Sequence, residues 1–134
     1  MNNDATTATA EARTAILEAL YAAFNARDVD AVIAKLAPDV DWPNVIEGTR
    51  ALGHAAVRTY WQGQFERIAP HVEPLGFTPR GDSGIVVDVH QVVRDLVGTV
   101  LRDGRVAHAY TFDAEDLVSR MDVFDTVEAA IEAA

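Results

Sequence analysis

Apolar side chains between residues 10 and 26 fall three and four positions apart. Ile16, Leu17, Leu20, Tyr21 and Phe24 keep the helical period while Glu11, Arg13 and Glu18 fall mainly elsewhere, which predicts an amphipathic helix over 10–26. The small, polar residues 1–9 are expected to form a flexible lead. Asp28 stands where an N-cap belongs, ahead of a second helix with the stripe Val29, Val32, Ile33 and Leu36, stopped by Pro38. Residues 40–44 read as a short strand that Pro43 confines to an edge or a bend. A third helix is predicted from Thr49 or Arg50 to about 68 and is closed by Pro70. Leu52, Ala56 and Tyr60 form one of its rows, Val57, Trp61 and Phe65 the next. Gly53 and Gly63 each weaken it by ~1 kcal/mol relative to Ala, so tertiary packing has to hold it.

Beyond Pro70 the period drops to two. Residues 72–78 make a weak strand broken by Pro74, and 85–97 make a strong one. Asp103-Gly104 carries a hairpin signal. Strands 106–112 and 117–124 follow, separated by the polar turn 113–116, and an alanine-rich helix over 126–134 finishes the chain. This order predicts one α+β domain over residues 10–134, with three N-terminal helices packed on the concave face of a curved antiparallel sheet. Ile85, Val87, Val89 and Val93 on one parity alternate with Val86 and Val92 on the other. A sheet with two apolar faces needs a second cover, which motivates a homodimer through the sheet.

Composition narrows the function classes. The 134 residues fit one domain with room for a core and a pocket. Twenty-one acids against eleven bases leave a net charge of −10, which repels nucleic-acid backbones and anionic membranes. There is no cysteine, hence no disulfide, thiolate nucleophile or Cys-ligated metal site. With no apolar run of membrane-spanning length and no signal-peptide pattern at Met1–Thr7, a cytoplasmic location is expected.

Four stretches then resemble the nuclear transport factor 2-like superfamily, and within it the SnoaL-like, ketosteroid-isomerase-like and limonene-epoxide-hydrolase-like enzymes. They are residues 21–39 (YAAFNARDVDAVIAKLAPD), the strand 40–44 (VDWPN), the Gly48 to Trp61 helix with AAVRTYW, and the pair VAHAYTFD (106–113) and LVSRMDVFD (117–125). The resemblance spans roughly residues 10–126. It implies a cone-shaped, cystatin-like mixed or antiparallel sheet and a small-molecule pocket, but no single reaction.

Carried over residue by residue, the resemblance puts Asn44 at the general-base position of the ketosteroid isomerases, His108 at their donor-Asp position and Leu20 at their tyrosine position. Tyr21 then faces elsewhere, about 100° round the helix. An amide is not a base at neutral pH, so the isomerase mechanism does not transfer intact. Against the epoxide hydrolases, Asn44 matches the water-holding Asn, Trp42 stands where a Tyr belongs, and Asp122 matches one relay Asp. Val89 and Gln91 occupy the relay's Arg and Asp positions, leaving it incomplete. Asp122 is also the counterpart of the acid/base Asp of the cyclases. The resemblance implies that its parity, shared with Arg120 and Phe124, faces the pocket.

The candidate catalytic set is therefore Asp122 as general acid/base, His108 as its partner or an oxyanion donor, and Asn44 orienting substrate or water. Trp42, Tyr60, Trp61, His90, Tyr110, Arg120 and Phe124 are candidate ligand-binding residues. Asp88, His90 and Arg94 share a parity that also reads as a solvated rim. Asp88, His90 and His108 have the types of a two-His-one-carboxylate site, yet Asp-x-His spacing is common by chance, and no metal or cofactor is expected. His54 and His71 read as surface residues. The expected function is cofactor-independent isomerase, cyclase or epoxide-hydrolase chemistry on a hydrophobic, oxygenated molecule. The alternative is a ligand carrier or dimeric interaction module of the same fold.

Overall fold

The computed structural model describes residues 3–44 and 47–133. Helix α1 (Asn3–Asn25) and the single-turn α2 (Val29–Ile33) lead into β1 (Leu36–Asn44) and β2 (Thr49–Leu52). Helix α3 (Gly53–Phe65), the long strands β3 (Ile68–Arg80), β4 (Gly84–Asp95) and β5 (Val100–Phe112), β6 (Val118–Phe124) and α4 (Val127–Glu132) follow. The expected lead is thus helical from Asn3; residues 1 and 2 lie outside the described residues. The six strands form one curved, unclosed sheet in the order β2-β1-β6-β5-β4-β3, antiparallel except for the β1–β6 pair.

Local chemistry explains most boundaries. The Asp28 carboxylate accepts from the Ala31 amide at 3.2 Å and caps α2. Residues 49–52, expected to open the third helix, instead pair with β1. Gly53, at φ +85°, turns that strand into the helix. Pro70, Pro74 and Pro79 all sit in β3, the outermost strand beside β4, with the register slipping between Pro74 and Gly76. The Asn25 side chain works like one more strand residue on that edge: Nδ2 donates to the Val72 carbonyl at 2.7 Å and Oδ1 accepts from the Val72 amide at 3.0 Å. The Asp103-Gly104 pair is not a turn. The β4–β5 reversal lies at residues 96–99, where the Asp95 carboxylate accepts from the Val97 and Thr99 amides and Gly98 takes φ +98°.

Helices α1 and α3 pack on the concave face around a core of Leu17, Leu20, Val40, Val57, Trp61, Val87 and Tyr110. The outer face has a cover of its own. Helix α4 lays Ala130 and Val127 over Val86, Ala107, Ala109 and Phe124. The rest of that face carries ion pairs, including Arg105 with Asp88 and His90 with Asp103 at 2.7 Å. Part of the apolar surface that motivated a partner's sheet is therefore satisfied within one chain.

Candidate functional site

Strand alternation assigns each candidate to a face. On β5, Arg102, Gly104, Val106, His108 and Tyr110 share the concave side. Registers His108–Val123 and Tyr110–Met121 bring Met121 and Val123 of β6 to the same side, and Val89–Val106 and Gln91–Gly104 do so for β4. Between this surface and α1 and α3 lies a cavity of about 360 Å³. That volume is near the lower end of small-molecule pockets. Its walls are apolar and aromatic. Trp42 meets Trp61 edge to face at 5.2 Å between centroids, Trp61 meets Phe24 at 5.9 Å, and Trp42 leans on Tyr110 at 6.2 Å. Tyr60, whose hydroxyl accepts from Gln64 Nε2 at 3.4 Å, lines the opening side with Ile68 and Pro70.

The polar feature of the wall is a three-residue chain of hydrogen bonds. Tyr110 Oη donates to Tyr21 Oη at 2.9 Å, and Tyr21 Oη lies 2.8 Å from His108 Nδ1 with the two rings stacked. Tyr21 Oη receives the Tyr110 proton, and in the tautomer in which Tyr21 donates in turn to Nδ1 the His108 ring proton lies on Nε2. Nε2 has no partner among the described residues and is not a buried orphan, so it meets the cavity. Burial pulls the His108 pKa down to about 4, so the ring is neutral at physiological pH. Burial likewise pushes the Tyr21 and Tyr110 hydroxyls above their ordinary value, so both stay protonated donors.

Of the expected residues, His108, Trp42, Tyr60, Trp61 and Tyr110 converge on this cavity. Asp122, Arg120, Phe124 and His90 do not; all four lie on the outer face. Arg120 donates to Asp122 at 2.8 and 3.0 Å and to Asp41 at 2.8 Å, and Arg50 reaches Asp122 at 3.2 Å. Arg50 also donates to Asp41 at 2.6 Å and to the Asp41 and Met121 carbonyls, tying β2 to β1 and β6. The parity implied by the resemblance is thus reversed at β6. His90 is held by Asp103 and Glu73, and Phe124 packs under α4. Asn44 is not a lining residue either: its Oδ1 accepts from the Glu47 amide at 3.0 Å and its carbonyl from Gly48, which makes it a turn former. Asp88 and His90 face away from His108, and no cluster of three metal-ligating side chains occurs among the described residues. His54 donates from Nε2 to the Leu36 carbonyl at 2.8 Å and anchors α3 to β1.

Three titratable lining residues, Tyr21, Arg102 and Asp125, were not anticipated. Tyr21, expected to turn away, is only 2 % exposed, because α1 buries an arc wide enough to take both Leu20 and Tyr21. Asp125, just past the end of β6, is the one carboxylate on the lining, and Arg102 is its one cation. The signal for Asp125 was its parity with Met121 and Val123 once β6 is paired with β5. With Val123 opposite His108 and Phe124 opposite Ala107, Asp125 follows directly on the last β5–β6 pair and lines the same cavity as His108.

Comparison with known proteins agrees with this architecture. Residues 17–121 match the SnoaL-like domain family. Among curated proteins, none matches the chain. Among solved structures, TerC co-crystallised with polyporic acid is similar over 90 % of this chain and 95 % of its own, at 24 % identity and a TM-score of 0.74. A Mycobacterium tuberculosis protein in complex with estradiol-17β-hemisuccinate is similar over 86 % of this chain and 94 % of its own, at 15 % identity and a TM-score of 0.73. A cystatin-fold protein from Novosphingobium aromaticivorans is similar over 84 % and 97 %, at 22 % identity and a TM-score of 0.71. At these identities the likeness speaks to the fold.

Proposed function

The chain belongs to the SnoaL-like domain family, and from that premise we propose that it binds a hydrophobic, oxygen-bearing small molecule and moves a proton at the carbon beside the ligand's carbonyl. The observation that carries this reading is His108 on the wall of an aromatic-lined cavity, its Nδ1 held by Tyr21 and its Nε2 without a partner among the described residues. A fixed, desolvated donor aimed at a carbonyl oxygen stabilises the negative charge that grows there as an enolate forms. A neutral imidazole can fill that role without giving up its proton. Asp125, which lines the same cavity as His108, takes the α-proton in this reading. The C–H electron pair then enters the enolate, whose oxygen His108 holds. Return of the proton from Asp125 to another carbon isomerises the ligand; alternatively the enolate carbon attacks a second carbonyl, whose π pair moves to its oxygen and takes the proton from Asp125, closing a ring. The small hydrophobic molecules held by the two liganded structures named above support this choice of ligand class.

A second reading, a carrier without chemistry, is favoured by one observation: Asp125 is exposed at the rim, where water competes for the proton. Hydrogen exchange at the α-carbons of 2-tetralone in D₂O, followed by proton NMR, separates the two. The enzymatic reading predicts enhanced exchange in wild type, a loss of about 10²-fold in His108→Phe, and loss in Asp125→Asn with binding retained. Binding without enhanced exchange hands the site to the carrier reading. Estradiol-17β-hemisuccinate is a second binding probe, and failure of both ligands to displace water from the cavity contradicts either reading.

A further inference from the structure

The exposed part of the cavity lining holds a guanidinium without a partner among the described residues. Every other arginine on β5 and β6 is engaged: Arg105 with Asp88, and Arg120 with Asp41 and Asp122. Arg102 has no ion-pair or side-chain hydrogen-bond partner among the described residues, in a chain with ten more acids than bases, and it is the cation among the described residues of the cavity lining. Its neighbours in sequence do not help it, because Asp103 points to the outer face, where it takes His90. Asp125 lines the same cavity and is not ion-paired with Arg102, so the positive charge is not already neutralised.

A second, independent feature lies beside it. Gly104 sits between Arg102 and Val106 on the concave parity, opposite Gln91, in the middle of a strand where its turn-forming capacity goes unused. A Cβ built there meets nothing within 4 Å, and its φ is not positive, so the backbone does not demand glycine. The missing side chain leaves a notch of open space on this face of the strand beside Arg102. Gln91, on the other side of the notch, adds an amide to the lining.

We propose that Arg102 and the Gly104 notch form an anion subsite at the mouth, so that the cavity selects elongated amphipathic acids, with an oxygen at His108 and a carboxylate or comparable acidic group at Arg102. This rests on the cavity's being a ligand site, and it names the class of ligand. Six steps of extended strand separate Arg102 from His108, about 20 Å between Cα atoms, a span that the length of the arginine side chain shortens. A ligand touching both ends is therefore long, apolar in its middle and charged at its outer end.

The test is a pair of matched probes, 10-(2-naphthyl)-10-oxodecanoate and its methyl ester, titrated against wild type, Arg102→Gln, Arg102→Lys and His108→Phe by tryptophan fluorescence and calorimetry. Wild type is expected to bind the acid roughly tenfold more tightly than the ester at low ionic strength, with the ratio falling as salt is added because the rim is screened. Arg102→Gln takes the ratio to about one while leaving the ester's affinity unchanged, and Arg102→Lys restores part of it. His108→Phe weakens acid and ester alike. An acid-to-ester ratio of one in wild type, or one that survives Arg102→Gln, overturns the anion subsite and leaves the cavity reading standing. Binding of neither probe to wild type overturns both.

Discussion

His108 on β5 stands opposite Val123 on β6, and a single bulge puts it there. Near the turn Phe112 pairs with Val118, yet the next pair is Thr111 with Arg120, so Ser119 is the extra residue. The Ser119 hydroxyl donates to the Thr111 carbonyl at 3.2 Å. Without the bulge, Asp122 would have faced His108. With it, Met121, Val123 and Asp125 turn into the cavity while Asp122 turns out to Arg50 and Arg120.

Asp122→Asn is therefore expected to act on stability rather than on the ligand. The partly exposed network it belongs to limits the loss to about 1 kcal/mol in urea denaturation, and affinity for 2-tetralone should stay within about twofold. A hundredfold fall in α-proton exchange in Asp122→Asn would return the residue to the catalytic set.

Tyr21→Phe removes the hydroxyl that links Tyr110 to His108. Both remaining polar groups are buried in the wall, so the variant is expected to lose about 1–3 kcal/mol. The His108 tautomer also ceases to be fixed, and exchange activity should fall further than binding. An unchanged denaturation midpoint would show that the chain of hydroxyls holds nothing.

The His108 ring makes folding pH-dependent with a definite sign. Its pKa moves from 6.5 to about 4 on folding because burial disfavours the charged ring. The unfolded chain then binds the proton more readily, and the stability it contributes is present in full above pH 6.5 and drains away as pH falls toward 4. The shift corresponds to roughly 3 kcal/mol at ~1.36 kcal/mol per unit. Carboxylates titrate in part of the same window, so the quantity to measure is the difference in pH slope between wild type and His108→Phe. Parallel slopes between pH 7 and pH 4 would contradict a neutral, buried ring.

Gly84→Ala tests packing at the narrow end of the sheet. A Cβ at Gly84 meets the Arg80 carbonyl oxygen at 2.6 Å and the Tyr110 carbonyl oxygen at 3.3 Å, both backbone atoms that cannot swing aside. A loss of about 1–3 kcal/mol is expected in thermal or urea unfolding.

The order of elements was legible because periodicity is a local property. The helical steps of Ile16 to Phe24, the alternation from Ile85 to Val93 and the Asp28 cap each show in a few adjacent residues. Residues 49–52 and Asp103-Gly104 misled for the complementary reason. Their state depends on β1 and β4, strands far away in the sequence, and strand pairing overrode a helix start and a turn signal. The aromatic wall could be read from composition and spacing. The acid/base geometry could not, because the bulge at Ser119 leaves no signature in residue types and one residue of slip exchanges the two faces of β6. Tyr21 was hidden by a similar limit: a sequence gives the angle round a helix, but not how wide an arc the sheet will bury.

The central claim is that His108 presents Nε2–H to a ligand's oxygen. Long-range ¹H–¹⁵N NMR of the imidazole rings measures it directly, in free protein and with 2-tetralone added. The account predicts a neutral His108 ring with the proton on Nε2 and bare Nδ1 from pH 5.5 to 8, and an Nε2 resonance that moves as the ketone binds. A proton on Nδ1, or an Nε2 signal unmoved by saturating ligand, would contradict it.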